Sequence, residues 1–241
     1  MLNKGEMIRK AVIIAGGMGT RLRPVTYEIP KPLIPIQGKT LTEHILDILR
    51  DAGVEEVYLS VGYMHERIRE YLGDGSRFGM KIRYIIEDKP LGTGGWMKLI
   101  EPLHEHFIAL NGDNLFDLDL REMYQFHISR GAVATIALTR VDDPRAYGVV
   151  TMDGDRITAF LEKTPHPPTD LINSGYYIFS PSVFRYLPSS DAFMLEKELF
   201  PRLAEDGVLY GFIHDGIWFD TGTFERWEAA IRGWKRGKNR R

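Results

Sequence analysis

The chain contains no cysteine, which excludes disulfides and thiolate metal centres. It has no run approaching the roughly 20 apolar residues of a membrane span. The opening stretch Met1-Leu2-Asn3-Lys4-Gly5-Glu6-Met7-Ile8 also lacks the apolar segment of a secretory signal, so cytoplasm is the default expectation and no membrane contact is indicated. Neither sign of charge dominates. With 31 basic and 33 acidic residues the formal net charge is −2, which does not suggest a nucleic-acid surface. The locally basic end, Lys235 to Arg241, reads as a solvated helix terminus. The seven histidines include no His-Glu-x-x-His pair, and His104 and His106 read as polar surface. No internal repeat is found. What these absences leave is a chain of 241 residues, 44% hydrophobic, long enough to bury a full core as one domain or two closely joined lobes.

One stretch near the start organises the rest. The apolar run Lys10-Ala11-Val12-Ile13-Ile14-Ala15 reads as a buried strand, and it runs into Gly16-Gly17-Met18-Gly19-Thr20-Arg21. Three glycines in four positions remove the Cβ atoms that keep a ligand off the backbone, so successive N–H groups can turn toward an anion. Arg21 follows directly, and Lys31 is held between Pro30 and Pro32, so a planar guanidinium and a point charge can face the same phosphates. Two better-known phosphate loops fail on spacing. The dinucleotide fingerprint would start at Gly17 and Gly19 but meets Leu22 at its third glycine, and Gly38-Lys39-Thr40 lacks the first glycine of a P-loop, where Leu33 stands.

Downstream, Thr40-Leu41-Thr42-Glu43 is a capping box that opens a helix stopped by Gly53. A strand over 54–61, a short helix over 65–72 and a strand over 81–86 continue the alternation. A helix is expected from about Trp96 to His104, then a strand over 107–110 and a helix capped by Asp119 with Glu122 at its third position. Alternating strands and helices imply a parallel sheet whose ligands sit at the carboxyl ends of the strands. From Ala132 the texture changes to a strand over 132–141, a hairpin turned at Asp153-Gly154, and a strand over 172–179. Helices near 181–187 and 194–205, a strand over 208–213 and a final helix ending near Gly233 complete an α/β chain whose second half is a mixed sheet.

Two aspartates carry the remaining chemistry. Asp113 ends a core strand behind Asn111-Gly112, where a lone carboxylate is costly unless it meets a cation, and Asp220 stands in an equivalent position in Trp218-Phe219-Asp220. Two hard oxygen ligands that leave other positions to water and phosphate suit Mg²⁺. Either aspartate alone reads equally as a cap or turn residue. Asp117-Leu118-Asp119 imitates a metal-binding D-x-D, but capping accounts for Asp119 more simply. Glu162-Lys163, taken alone, reads as a surface ion pair.

The run from Gly16 to Pro24 together with Pro30-Lys31-Pro32-Leu33 resembles the signature of the sugar-1-phosphate nucleotidylyltransferases, and the likeness extends from Lys10 to about Glu225. The resemblance implies a Rossmann-like nucleotidyltransferase fold: a central, mostly parallel mixed sheet flanked by helices, with a small antiparallel sugar-binding lobe. It implies one domain over residues 1–241, with the nucleotide half at about 1–131 and the sugar-phosphate half at about 132–241. The C-terminal β-helix common in the family is not expected, since no hexapeptide repeat fits after Gly222. The implied catalytic residues are Arg21, Lys31, Asp113, Lys163 and Asp220, with Mg²⁺ on Asp113 and Asp220. Nucleotide contacts are implied for Ala15, Gly16, Gly17, Gly19, Thr20, Glu87, Gly92, Thr93 and Gly94, and sugar-phosphate contacts for Gly112, Gly148, Glu162, Lys163 and Asn173. The implied partners are a nucleoside triphosphate and a sugar 1-phosphate, and the reading leaves room for a homo-oligomer.

Within the family, Leu59 to Tyr63, Glu87 to Gly95 and Asn111-Gly112-Asp113 look closest to mannose and heptose 1-phosphate guanylyltransferases. Glu87 ends a strand just before Leu91 to Gly95, where the resemblance implies that the base is seated; an ionised carboxylate there accepts hydrogen bonds and guanine offers two adjacent donors, unless Glu87 points to solvent or pairs with Lys89. Thymine or uracil with glucose 1-phosphate is the alternative. A glycosyltransferase and a catalytically silent regulatory relative are the rivals from other classes; the first has no use for Arg21 and Lys31 as a pyrophosphate clamp, and the second would be expected to have lost one of the five catalytic positions. Trp96 stands where relatives carry a small residue, and it is expected either to pack within a helix or to narrow the base pocket.

Overall fold

Residues 7–235 are described by the computed structural model, so all but the first residue of the basic end lies outside the described residues. The apolar run near the start forms strand β1 (Lys10–Ala15). A turn at Thr20–Leu22, the short helix α1 (Val25–Glu28), and a small hairpin of β2 (Pro35–Ile36) and β3 (Lys39–Thr40) follow. Helix α2 (Leu41–Ala52) begins at the expected capping box, with Glu43 N–H donating to Thr40 Oγ1 (3.2 Å) and Thr40 N–H donating to Glu43 Oε2 (2.7 Å). It ends at Gly53, whose φ of 97° favours a residue without Cβ. Strand β4 (Glu56–Val61), helix α3 (His65–Leu72) and strand β5 (Lys81–Ile86) repeat the unit, and β6 (Phe107–Asn111) returns beside β1.

The strand β7 (Asn114–Phe116) leaves the sheet after β6, and helix α4 (Leu120–Arg130) starts at Asp119, whose Oδ1 accepts from the Arg121 and Glu122 N–H groups. The capping role expected for Asp119 therefore holds. Strands β8 (Ala134–Arg140), β9 (Gly148–Asp153), β10 (Arg156–Glu162) and β11 (Leu171–Phe179) come next, with β9 and β10 paired as the expected hairpin. Helix α5 (Phe200–Glu205), β12 (Leu209–Ile213), β13 (Trp218–Asp220) and helix α6 (Phe224–Gly233) finish the described chain.

Nine strands form one sheet in the order β5-β4-β1-β6-β11-β8-β12-β10-β9. The first four are parallel, β11 runs antiparallel to β6, and the remainder is mixed. The change of texture at Ala132 thus marks the change from a parallel to a mixed array, while the sheet itself is continuous. Two apolar cores lie against it. One gathers α2, β4 and Trp234; the other gathers Trp96, Phe107, Tyr177, Phe179 and Phe200.

Several expected helices are shorter or different. In place of a helix from 96 to 104 there is one 3₁₀ turn, Gly95–Lys98, because the following Pro102 and the buried Trp96 favour a turn anchored on the core. Residues Pro181–Tyr186 form a 3₁₀ segment, and the stretch expected to start at Met194 opens as a single π turn, Leu195–Leu199, before α5. His106 is not simply polar surface, since its ring packs 5.2 Å from that of His127 and 5.8 Å from that of Tyr124.

Candidate active site

The carboxyl ends of β1, β4, β5 and β6 meet where a parallel sheet places its ligands, and a cavity of about 410 Å³ opens there. Its wall contains Ala15, Gly16, Gly17, Gly19, Thr20, Arg21, Lys31, Glu87, Gly92, Thr93, Gly112 and Asp113, all named from the sequence. The glycine loop reaches it directly from β1. Gly19 takes a left-handed conformation (φ 62°), and Thr26 Oγ1 donates to its carbonyl at 2.9 Å, which fixes the turn. Gly16 has a steric reason to be glycine: a Cβ there would lie 2.8 Å from Glu87 Oε1.

Glu87 is buried and neither faces solvent nor pairs with Lys89. Ser60 Oγ donates to Glu87 Oε1 at 2.6 Å, and the Leu91 N–H approaches Oε2 at 3.4 Å. Its carboxylate therefore sits between the glycine loop and the loop of Leu91 to Gly95. That second loop is pinned from outside by Phe193, with Phe193 N–H donating to the Leu91 carbonyl and Gly94 N–H donating to the Phe193 carbonyl, both at 3.0 Å. Thr93 Oγ1 hydrogen-bonds the Glu196 carboxylate and accepts from Leu195 N–H. Burial raises the Glu196 carboxyl above the ordinary range. Trp96 is fully buried, and its Nε1 donates to the Thr93 carbonyl at 3.0 Å; it braces the loop and does not narrow the cavity.

On the opposite wall, Lys31 Nζ lies 2.7 Å from Asp113 Oδ2. Burial acts to raise the Asp113 pKa, but the charges of Lys31 and Arg21 outweigh it and hold the carboxyl below its usual value. Asp220 is brought beside it by β13, which pairs with β7 so that Asp220 faces Asn114, the residue after Asp113. Thr221 fastens the two strand ends, since its N–H and Oγ1 both donate to the Asp113 carbonyl, at 3.0 and 2.9 Å. Asp220 Oδ1 accepts from Gly222 N–H at 2.6 Å, and Oδ2 pairs with Arg226. A Cβ on Gly222 would lie 2.8 Å from an Arg21 nitrogen, so the glycine makes room for that guanidinium.

Two hard carboxylates on adjacent strand ends, with no third acidic or imidazole group gathered among the described residues, match a divalent cation completed by water and substrate oxygens. The donor set suits a hard divalent cation better than Zn²⁺, which takes more nitrogen and sulfur from the protein.

The remaining candidates form a flanking cluster. Gly148 leaves space for Glu162, since a Cβ there would lie 3.0 Å from Glu162 Oε2. Lys163 is outside the cavity wall, with a positive φ of 49° and its Nζ 3.5 Å from Glu162 Oε1. Asn173 Nδ2 donates to Tyr177 OH at 2.9 Å, and Asn111 hydrogen-bonds the same hydroxyl, so this cluster connects to the cavity through Tyr177.

Three groups at the site were not singled out from the sequence. Asn111 Oδ1 is buried without a hydrogen-bond partner among the described residues, and Asn111 lines the cavity. Its position inside Asn111-Gly112-Asp113 was a usable signal. Met194 reaches the cavity from the residue just before the π turn, and Arg226 reaches Asp220 from α6; no local pattern marks either.

A glycine-rich anion loop at the carboxyl end of a parallel sheet, faced by paired cations and two adjacent carboxylates, defines a phosphate-handling α/β protein. The nucleotidyl transferase family model matches residues 10–235, and the chain belongs to that family. It is 42% identical to the mannose-1-phosphate guanylyltransferase of Mycobacterium tuberculosis over 89% of this chain and 61% of that protein. It is 39% identical to the D-glycero-α-D-manno-heptose 1-phosphate guanylyltransferase of Aneurinibacillus thermoaerophilus over 92% of this chain and 96% of that protein. Among solved structures, HddC from Yersinia pseudotuberculosis complexed with GMP-PN superposes with a TM-score of 0.78 at 32% identity, covering 93% of this chain and 99% of that one. The nucleotidyltransferase fold expected from the resemblance is thereby established.

Proposed function

We propose that this protein joins a nucleoside triphosphate to a sugar 1-phosphate, releasing pyrophosphate and an NDP-sugar, and that its substrates are GTP with mannose or heptose 1-phosphate. The observation that carries the reading is the single cavity wall on which the glycine loop, Arg21, Lys31 and Asp113 converge with Glu87. The similarity to guanylyltransferases supports the choice of substrates.

The phosphate of a sugar 1-phosphate is already an anionic nucleophile, so the reaction needs no serine, cysteine or strong base. One of its oxygens attacks the α-phosphorus, the bond from that phosphorus to the bridging oxygen of the β-phosphate breaks, and pyrophosphate leaves with the electron pair. The protein supplies alignment and charge. The glycine loop and Arg21 hold the departing pyrophosphate, and Lys31 neutralises charge near the α-phosphate. Lys163 and Glu162 take the sugar side, the lysine on the phosphate and the carboxylate on hydroxyls, with Gly112, Gly148 and Asn173 allowing close approach. Asp113 and Asp220 would hold Mg²⁺, and the ion would supply positive charge against the reacting phosphates.

Glu87 is placed to read the base. Its Oε1 already accepts from Ser60, and the remaining lone pairs of the carboxylate match the two donors of guanine. Thymine or uracil would set a carbonyl against it.

The test is to incubate the purified protein with each nucleoside triphosphate against a panel of sugar 1-phosphates and to measure pyrophosphate. Release with GTP and mannose or heptose 1-phosphate is the expected result. No release with any pair, or consumption of a preformed nucleotide sugar with transfer to an acceptor, would reject it.

A further inference from the structure

Among the described residues, Arg226 is the charged side chain at the two carboxylates that the proposed chemistry does not use. It lies in the first turn of α6, where Thr223 caps the helix, and its guanidinium pairs with Asp220 Oδ2. Asp220 does not depend on this contact for its orientation. The Gly222 N–H holds Oδ1 at 2.6 Å, and the backbone of Asp220 is fixed by pairing to β7. Arg226 therefore contributes charge at the outer oxygen more than it contributes placement.

Asp113 and Asp220 are faced by Lys31, Arg21 and Arg226, so three cations surround two carboxylates. A divalent ion approaching this arrangement alone meets oxygens already engaged and a local excess of positive charge. The guanidinium also has a second seat. Its Cζ lies 5.0 Å from the centroid of the Tyr147 ring, which stands immediately before β9 and itself packs edge-on against Trp218 at 5.4 Å. An arginine released from Asp220 can remain stacked on that ring. Its side chain is 32% exposed, against 12% for Asp220, so it has room to move while the aspartate does not.

We propose that Arg226 is a competing cation that occupies the outer oxygen of Asp220 in the metal-free enzyme and yields it, along the face of Tyr147, when a divalent ion binds. The proposal rests on the reading that Asp113 and Asp220 hold the metal. It makes weak binding of a free metal ion a designed property: the anionic triphosphate must arrive to reverse the local charge before the metal is held firmly.

The test is a titration of Mn²⁺ alone into the full-length protein, with free Mn²⁺ followed by electron paramagnetic resonance and no nucleotide present. Arg226→Ala is expected to tighten Mn²⁺ binding roughly tenfold, the scale of one charge-assisted contact at a partly buried site. Arg226→Gln, which keeps volume and removes charge, should do the same, and Arg226→Lys should stay near wild type. An arginine that merely supported Asp220 would give the opposite sign, because its loss would weaken the site. Unchanged or weaker Mn²⁺ binding in both neutral variants, each shown to be folded by circular dichroism, overturns the proposal. The double variant Asp220→Asn with Arg226→Ala should lose the gain. The single variant Asp220→Asn separates the two levels: weaker Mn²⁺ binding there upholds the metal assignment whatever Arg226 does, and unchanged binding removes the assignment and the proposal together.

Discussion

Lys31 and Asp113, separated by 82 positions in the chain, form a 2.7 Å ion pair on the wall of the cavity. Lys31 arrives on the turn between Pro30 and Pro32, Asp113 on the step between β6 and β7, and the crossing of the sheet brings them together. Each is thereby held at a fixed position on the cavity wall.

Asp113→Asn should leave the fold intact, because the side chain keeps 34% of its surface exposed at the cavity and the change in volume is small. It removes one anionic donor and leaves the Lys31 ammonium without its counter-charge. Turnover is expected to fall roughly 100-fold or more, the scale of losing one preorganised electrostatic contact. Steady-state rates across a Mg²⁺ titration check this, and near wild-type turnover at low Mg²⁺ would show that Asp113 is no metal ligand.

Glu87→Gln replaces an acceptor-only group with one that also donates. The preference for GTP over dTTP or UTP, measured as the ratio of kcat/KM values, should shrink by roughly 1–3 kcal/mol. Ser60→Ala should move the ratio in the same direction by less, because it frees the carboxylate without changing its charge. A Gln variant with unaltered base preference would mean that backbone groups read the base.

Gly94→Ala tests the loop that Phe193 pins. The new Cβ would fall 2.1 Å from Phe193 Cε2, a position no ring in a packed core can tolerate. Loss of about 1–3 kcal/mol of stability is expected, with a raised KM for the nucleotide as the loop shifts. Gly17→Ala is the control, since a Cβ there meets nothing within 4 Å. Urea unfolding of the two variants should separate them, and equal stabilities would contradict the packing argument.

His127 predicts a pH dependence that has nothing to do with catalysis. Burial first, and then the neighbouring charge of His106, lower its pKa to about 3, while its Nδ1 shares a 2.8 Å hydrogen bond with Thr135 Oγ1. The unfolded chain binds a proton near pH 6.5 that the folded chain refuses until about 3, so the unfolded state holds more protons across that window. The contribution of this group to stability is complete above the window and is lost as pH falls, by up to about 1.4 kcal/mol per pH unit. Urea unfolding of wild type and His127→Gln through the window should give curves whose difference shows that slope. Parallel curves would mean that the imidazole titrates normally.

The amino-acid sequence determined what depends on near neighbours. Three glycines after an apolar strand dictate a loop whose backbone stays open to close approach, because the missing Cβ atoms and the free φ at Gly19 are properties of those residues alone. Thr40 with Glu43, Asp119 with Glu122 and Asp153-Gly154 likewise set caps and a turn through contacts a few residues long. Trp96 and the chain around it were legible only in part. Whether an apolar stretch coils into an α-helix or a single 3₁₀ turn depends on what it packs against, here Thr93, Phe107 and the segment carrying Phe193.

The tertiary structure alone decided which charges meet. Lys31 finds Asp113 across 82 positions and Ser60 finds Glu87 across 27 because strand order and register carry them there, and Arg226 finds Asp220 because a short turn leads from β13 into α6. Coulombic and hydrogen-bond energies depend on distance in space, which spacing in sequence does not encode beyond a turn of helix or a hairpin. Asn111 Oδ1 belongs to the same class: burial leaves it without a partner among the described residues, and burial is a property of the folded molecule.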